Sequence, residues 1–320
     1  MYSSLAAAAV ACVVATPPAS FRDDVGGRLN CNNTNPVNHS KTVVAFVGDS
    51  ITYGFTCETF RGGFAKVVSD LLPAEQFEVR DCGIVATTAS QQQHVEHPSY
   101  WGTIEHNISR QMKPDVVIFM LGTNDASEWG PQVKQNSLPA RRGHCGADCG
   151  NSRLTFEDDY TQLLSSYQDL VTTKGGKPRV VTMIPPPDGN WTNATFVNPP
   201  RVGVLPVVPQ PCPQDPMSEC PSFVNFVNCS DGTHPNVAQC QSSMRFYSNV
   251  PQQCIINCVF PSLLPTIWDK LQIDGGDRVD LETFMGGPDK TDKQYMPSLH
   301  PNCDGYEKIG RHIATQIFGH

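Results

Sequence analysis

The chain has 320 residues and a formal net charge of −8 at pH 7. At about 100 to 200 residues per domain, this length allows one large domain or two smaller ones. The longest basic run is the pair Arg141 and Arg142, so we expect no nucleic-acid partner, which would require a basic surface. No apolar run approaches the roughly 20 residues of a membrane-spanning helix, so we expect no transmembrane segment.

The N-terminus resembles a secretory signal. An apolar stretch from Leu5 to Ala15 ends in small residues, and Pro17 and Pro18 stop any helix beyond it. We expect residues 1–15 to be a signal peptide and the protein to be secreted or held in the lumen of the secretory pathway. Six N-x-[ST] sequons support this prediction and indicate a glycoprotein: Asn32, Asn38, Asn107, Asn190, Asn193 and Asn228.

Thirteen cysteines are present, and removal of the signal with Cys12 leaves an even number. An even number in an oxidising compartment favours complete pairing in disulfides. A zinc site is the alternative, suggested by the Cys-x3-Cys spacings at Cys145 and Cys254, but the CxxC pairs of a zinc ribbon are missing. His94, His97 and His106 have no accompanying ligand pattern and are interpreted as exposed polar residues. We therefore predict disulfides, no metal and no cofactor.

Apolar and β-branched runs predict five strands. Thr42–Val47, Val116–Leu121 and Arg179–Ile184 do not alternate with polar residues, which is typical of strands buried on both faces of a parallel sheet. Phe77–Cys82 does alternate, as expected nearer an edge, and Arg278–Phe284 is similar. In a parallel sheet, the loops that follow the first, second and third of these strands all lie at the same edge.

Helical patterns separate the strands. Apolar residues from Phe156 to Val171 fall on one stripe, with Thr155 and Asp158 as a start resembling a capping box. A further helix is predicted over Asn257–Leu271, and a closing helix begins near Asn302, a good N-cap. Repeated strand, helix, strand order predicts a doubly wound α/β fold.

One segment interrupts this order. Residues 185–221 hold 11 of the 27 prolines, which neither a helix nor a central strand tolerates. Six cysteines fall between positions 212 and 258. We predict a Cys- and Pro-rich insertion held by disulfides over about 185–253, within a domain spanning residues 40–320.

Candidate catalytic residues follow the strand ends, where ligands bind in open parallel sheets. The first strand leads into Gly48-Asp49-Ser50, the third into Gly122-Thr123-Asn124-Asp125, and the second into Cys82-Gly83-Ile84-Val85-Ala86. A serine alone is most often a helix N-cap, but an amide at a second strand end could stabilise an oxyanion. Asp125 is expected to hydrogen-bond its own loop.

Two histidines are candidates for the base. His300 lies directly before the closing helix, and His234 lies in Asp231-Gly232-Thr233-His234 inside the insertion. We favour His300, because it lies in a loop before the closing amphipathic helix, whereas His234 lies between Cys229 and Cys240 in a segment with no such helix.

Together these blocks resemble the GDSL or SGNH hydrolases, named for Ser, Gly, Asn and His in four blocks. The resemblance extends from about Thr42 to Phe318, interrupted by the insertion. It implies a flavodoxin-like three-layer α/β/α sandwich with a parallel sheet, and ester hydrolysis without metal. It also implies Ser50 as nucleophile, His300 as base, and an oxyanion hole formed by the N–H of Ser50, the N–H of Ala86 and the side chain of Asn124.

The chain departs from the family pattern at two positions. Ala86 stands where the second block usually has Gly, and its N–H can still donate if its φ is negative. Pro297 stands where the fourth block, Asp-x-x-His, has its carboxylate. The complete Asp-x-x-His pattern occurs instead at Asp231 and His234, which form the alternative base pair. A main-chain carbonyl near Met296 or Pro297, Asp292 or Asp231 is a candidate partner for His300.

The sequence thus predicts a secreted serine esterase acting on short-chain acyl or carbohydrate acetyl esters, with a small molecule or polysaccharide as substrate. Two alternatives stay open. Pro297 and the large insertion favour a weakly active or inactive binding protein on a hydrolase fold. The cysteine content is also compatible with an extracellular Cys-rich interaction module.

Overall fold

The computed structural model describes residues 29–31, 36–57, 63–91, 97–128, 152–187, 255–287, 294–297 and 299–320. The predicted signal peptide and residues 188–253 of the predicted insertion lie outside this set, so both stay predictions. Within the described residues, no helix has the length and apolar character of a membrane span.

A five-stranded parallel sheet forms the centre of the described part of the chain. Its strands are β1 (Thr42–Gly48), β2 (Phe77–Gly83), β3 (Val116–Met120), β4 (Arg179–Ile184) and β5 (Arg278–Asp280). Their order is β2-β1-β3-β4-β5, and every neighbouring pair is parallel. The non-alternating strands are therefore central and β2 and β5 are the edges, as the sequence predicts.

Helices cover both faces of the sheet. The α-helices of the described residues are α1 (Ser50–Tyr53), α2 (Gly63–Leu71), α3 (Ile104–Gln111), α4 (Thr123–Glu128), α5 (Ser152–Gln168), α6 (Phe260–Lys270), α7 (Leu281–Phe284) and α8 (Cys303–Ile313). Short π-helical segments, Ile255–Val259 and Ala314–Phe318, flank α6 and α8. Helices α2 and α8 pack on one face and α5 and α6 on the other. The three-layer α/β/α prediction is confirmed.

The bounds of β5 and α5 differ from the prediction. The strand predicted over Arg278–Phe284 ends at Asp280, because the Asp280 carboxylate accepts a hydrogen bond from the Thr283 N–H (2.9 Å) and caps α7. Helix α5 begins at Ser152, so Thr155 lies inside it and is not its cap. The same helix ends at Gln168, before the predicted Val171, which is exposed.

Two disulfides join distant parts of the chain. Cys31 pairs with Cys82 at the end of β2, and Cys57 pairs with Cys303 at the start of α8. Cys258 is also disulfide-bonded. The prediction of disulfides is confirmed for these cysteines, while those of the insertion from Cys212 to Cys254 lie outside the described residues.

Candidate active site

Ser50 lies at the junction between β1 and the one-turn helix α1. The strand ends at Gly48, where a side chain would collide with the Thr52 side chain and with the Met120 carbonyl. Asp49 caps the turn by accepting a hydrogen bond from the Ile51 N–H (2.9 Å), and Gly54 ends it with a φ of 81°. Only 5% of the Ser50 surface is exposed. The backbone therefore holds this serine in one place at the carboxyl edge of the sheet.

His300 approaches Ser50 from the other end of the chain. Its Nε2 atom lies 2.8 Å from the Ser50 Oγ atom, although the two residues are 250 positions apart. The histidine precedes α8, which Asn302 caps by accepting from the Gly305 N–H (2.9 Å), as predicted. The distance is that of a hydrogen bond between a hydroxyl and a neutral imidazole.

Burial controls the charge of His300. It lowers the pKa of the imidazole from 6.5 to about 4, so the ring is neutral at neutral pH. A neutral imidazole with a lone pair on Nε2 can accept the proton of a hydroxyl. Position 297 contributes no carboxylate, since Pro297 is there and is exposed. Asp292, Asp231 and His234 lie outside the described residues.

A brace joins the segment after Ser50 to the segment after His300. We use this name for residues 55–57 together with 301–306. The Cys57–Cys303 disulfide is its covalent link. The Tyr306 hydroxyl donates to the Phe55 carbonyl (2.9 Å), and the Thr56 hydroxyl donates to the Pro301 carbonyl (2.9 Å). These contacts fix the two segments against each other within a few residues of the Ser50–His300 pair.

The loop after β2 has an uncommon backbone conformation at Ala86. Its φ is +66°, in the left-handed region, so the condition of a negative φ, under which Ala replaces Gly without strain, is not met. A methyl group at such a φ is strained, which explains why glycine is common in this conformation. The Ala86 carbonyl accepts a hydrogen bond from His97 Nδ1 (3.2 Å), which helps to hold the strained residue.

Asn124 and Asp125 at the end of β3 hold this loop. The Asn124 side-chain amide is nearly buried and donates to the Thr87 carbonyl (3.0 Å). The Asp125 carboxyl oxygens accept from the N–H groups of Ala89 (2.9 Å) and Ser90 (3.0 Å). Asp125 also bonds its own backbone N–H, as expected, so its carboxyl joins its own loop to the neighbouring loop that carries Ala89 and Ser90.

Two buried carboxyl groups lie beneath the site. Burial raises the pKa of Asp49 to about 7 and that of Asp125 to about 7. Backbone hydrogen bonds act against the shift in both, and the charge of Asp49 adds to the shift of Asp125. Through these hydrogen bonds, Asp49 holds the turn that carries Ser50, and Asp125 holds the loop after β2.

The remaining histidines of the described residues are not arranged as a ligand set. His106 is buried, which contradicts the interpretation as an exposed residue, and its Nδ1 donates to the Trp101 carbonyl (3.2 Å). His97 is partly buried, and His94 lies outside the described residues. No three His, Cys, Asp or Glu side chains in the described ranges come together as metal ligands.

Sequence patterns gave no sign of Phe55, Thr56 and Tyr306 as neighbours of the site. Their only available signal was the position of Cys57 and Cys303 close to the two candidate blocks. Pairing these cysteines would have brought the two segments together.

Residues 46–216 match the model of the GDSL-like lipase/acylhydrolase family. No curated protein matches the chain. Among solved structures, the chain is similar to Est24, a carbohydrate acetylesterase from Sinorhizobium meliloti, at 14% identity and a TM-score of 0.48, over 87% of this chain and 99% of that one. It is also similar to the aryl esterase of M. smegmatis at 15% identity and a TM-score of 0.47, over 87% and 98%. A variant of Axe2, an acetyl xylan esterase from Geobacillus stearothermophilus, is similar at 17% identity and a TM-score of 0.41, over 87% and 95%.

The fold and the family match define an enzyme that hydrolyses ester bonds. The match covers more than half of the chain and includes Ser50, Ala86 and Asn124 but not His300. The chain belongs to the GDSL-like lipase/acylhydrolase family.

Proposed function

We propose that the protein is a secreted serine esterase that hydrolyses short-chain acyl or carbohydrate acetyl esters through an acyl-serine intermediate. The observation that carries this proposal is the 2.8 Å separation of Ser50 Oγ and His300 Nε2. The imidazole is neutral because burial lowers its pKa, so its ring nitrogen can take the hydroxyl proton when Ser50 attacks the acyl carbon.

The attack converts the carbonyl oxygen into an oxyanion, which needs hydrogen-bond donors. In the proposal these are the N–H groups of Ser50 and Ala86 and the side-chain amide of Asn124. The left-handed φ of Ala86 strains the residue but leaves its N–H able to donate. The intermediate then expels the alcohol, which takes the proton from His300. Water repeats the sequence on the acyl-serine and releases the acid.

Labelling with an activated phosphonate tests the nucleophile. We expect one phosphonyl group per chain on the peptide that contains Ser50, with loss of turnover of a chromogenic acetate ester. Ser50→Ala should lose both labelling and turnover, whereas the control Ser166→Ala, in α5, should keep both. Full activity in Ser50→Ala would exclude the covalent mechanism.

Two histidine variants test the base. His300→Ala should reduce kcat by at least about 10³-fold, because an unactivated serine hydroxyl is a poor nucleophile. His234→Ala should stay within a few-fold of the parent. The opposite ranking would move the base to His234 with Asp231 as its partner. A parent that hydrolyses no ester would favour the inactive binding protein that Pro297 suggests.

Asn124→Ala tests the oxyanion hole. An oxyanion donor acts in the transition state, so we expect kcat to fall about 10²- to 10³-fold with little change in KM. A change in KM alone would make Asn124 a ground-state binding residue instead.

Secretion is supported by the disulfides, which persist mainly in oxidising compartments. Two of the sequon asparagines, Asn38 and Asn107, are exposed, as glycosylation requires. Mass spectrometry of the secreted protein without reduction should show no free thiols, glycans on sequon peptides and a first residue beyond Ala15. Several free thiols with bound zinc would overturn the disulfide prediction for the insertion.

A further inference from the structure

Phe55 is an exposed aromatic residue beside the candidate base. Its side chain is 39% exposed, and its ring centroid lies 5.2 Å from that of His300, with the planes tilted by 58°. Within the described part of the chain, the other exposed large apolar side chains are Ile104 and Val171, and both are aliphatic. Phe55 therefore presents apolar surface to solvent where a substrate of His300 would pass.

The exposure of Phe55 does not come from a loosely held loop. Its N–H donates to the Ser50 carbonyl (3.0 Å), and its carbonyl accepts from the Tyr306 hydroxyl (2.9 Å). The next residue, Thr56, bonds the Pro301 carbonyl, and Cys57 is linked to Cys303. The brace thus fixes the backbone that carries the ring, so a ligand binding there pays little ordering entropy.

The proton path places the two parts of an ester relative to this ring. His300 Nε2 takes the proton from Ser50 and must return it to the leaving alcohol oxygen, which therefore lies within hydrogen-bond reach of that nitrogen. The carbonyl oxygen points instead to the oxyanion donors. In the proposal, the side chain that packs against this imidazole lies on the side of the alcohol part of the ester.

We propose that Phe55 is a specificity-determining residue that binds the alcohol part of the substrate and favours esters whose alcohol carries a ring. The shared chemistry is a flat apolar face, either an aromatic ring or the C–H face of a sugar ring, stacked on the Phe55 ring. This inference rests on the proposed serine esterase function. The inference extends the proposed function by naming the alcohol part of the ester as the part that the site recognises.

Acetate esters of different alcohols test the proposal. Benzyl acetate and a 6-O-acetyl hexoside carry a ring, and 2-methoxyethyl acetate does not. Phe55→Ala should lower the ratio of kcat/KM for each ring-bearing ester to that for 2-methoxyethyl acetate about tenfold, the effect of losing one aromatic contact. Phe55→Trp should keep or raise the ratio, and the control Ile104→Ala should leave it unchanged. The benzyl and hexoside arms distinguish the two sources of the ring.

A second series varies the acyl group on one alcohol. The ratio of kcat/KM for 2-methoxyethyl butanoate to that for the acetate should be the same in Phe55→Ala and the parent, because the ring does not meet the acyl chain. A changed acyl ratio, or an unchanged alcohol ratio in a protein that does hydrolyse esters, would overturn the role of Phe55 alone. Equal loss on every ester would make Phe55 a support for His300 and would also overturn it. A parent that hydrolyses none of them and takes no phosphonate label would overturn the proposed function as well.

Discussion

Removing the Cys57–Cys303 disulfide should separate the stability of the protein from the geometry of its site. The paired variant Cys57→Ala/Cys303→Ala leaves no unpaired thiol and releases the covalent part of the brace. The matched control is Cys31→Ala/Cys82→Ala, which removes the disulfide on β2. The cysteines of these disulfides are 246 and 51 residues apart, and loop-closure entropy predicts losses in the free energy of unfolding of up to about 5 and about 4 kcal/mol, respectively.

The effect on catalysis should differ much more than the effect on stability. Of the two disulfides whose cysteines both lie in the described ranges, Cys57–Cys303 joins the segments that follow Ser50 and His300, and Cys31–Cys82 does not. A displacement of about 1 Å between reacting groups can cost about 10²-fold in rate. Because the Tyr306 and Thr56 hydrogen bonds still hold the brace, we expect a loss of about tenfold in kcat with KM nearly unchanged.

The assay is kcat and KM on a chromogenic acetate ester, at a temperature at which both variants are folded by circular dichroism. Urea unfolding gives the free energies for the same preparations. If the control variant loses as much kcat as the brace variant, the loss reflects general destabilisation and the positioning role is refuted. An unchanged kcat in the brace variant would refute it too.

Three further predictions follow from the strand-end loops and from His300. Ala86→Gly should raise the free energy of unfolding by about 0.5 to 1 kcal/mol in urea titrations, because relief of the left-handed φ exceeds the entropy cost of glycine; a decrease would show that the methyl group packs favourably. Asp125→Asn should lower that free energy by about 1 to 3 kcal/mol and also lower kcat, because its NH₂ group would face the N–H of Ala89 or Ser90; unchanged values would remove Asp125 from loop positioning. The acid limb of kcat/KM that belongs to His300 should be centred near pH 4, because protonation of His300 removes the base and burial lowers its pKa to about 4. It should be separate from any inflection near pH 7 caused by protonation of Asp49 or Asp125; a profile of Asp125→Asn with its acid limb centred near 6.5 and none near 4 would contradict this.

The sheet could be predicted from the sequence because strands buried on both faces are apolar at consecutive positions, whereas edge strands alternate with polar residues. The non-alternating runs at β1, β3 and β4 became the central strands, and the alternating run at β2 became an edge. The prediction was wrong where a side-chain hydrogen bond competes with the strand pattern in a short segment. At β5 the apolar pattern continues to Phe284, but the Asp280 carboxylate captures the Thr283 N–H and turns the chain into α7. A side-chain hydrogen bond of this kind has no periodicity to detect.

The backbone at Ala86 illustrates a second limit. A family pattern that has glycine at this position is compatible with a left-handed φ, and alanine at the same position left the sign of φ open. The structure keeps the left-handed φ and places the methyl group in it. Contacts from His97, and from Asn124 and Asp125 further along the loop, fix the backbone from outside. The identity of one residue does not show that its neighbours fix its backbone conformation.

The approach of His300 to Ser50 followed from topology, whereas the group that assists the base did not. Parallel strands send their following loops to one edge, so a serine after β1 and a histidine before α8 meet despite their separation. Which group orients the imidazole depends on distances of a few ångströms within one loop, and the sequence does not give those distances. The position where the family has a carboxylate is occupied by Pro297. Burial then sets the properties of the base: a pKa of about 4 keeps the imidazole in its reactive form at neutral pH but makes it a weaker proton acceptor. In the proposed mechanism the brace offsets this weakness by holding His300 at hydrogen-bond distance from Ser50, so we expect release of the brace to lower kcat and leave KM nearly unchanged.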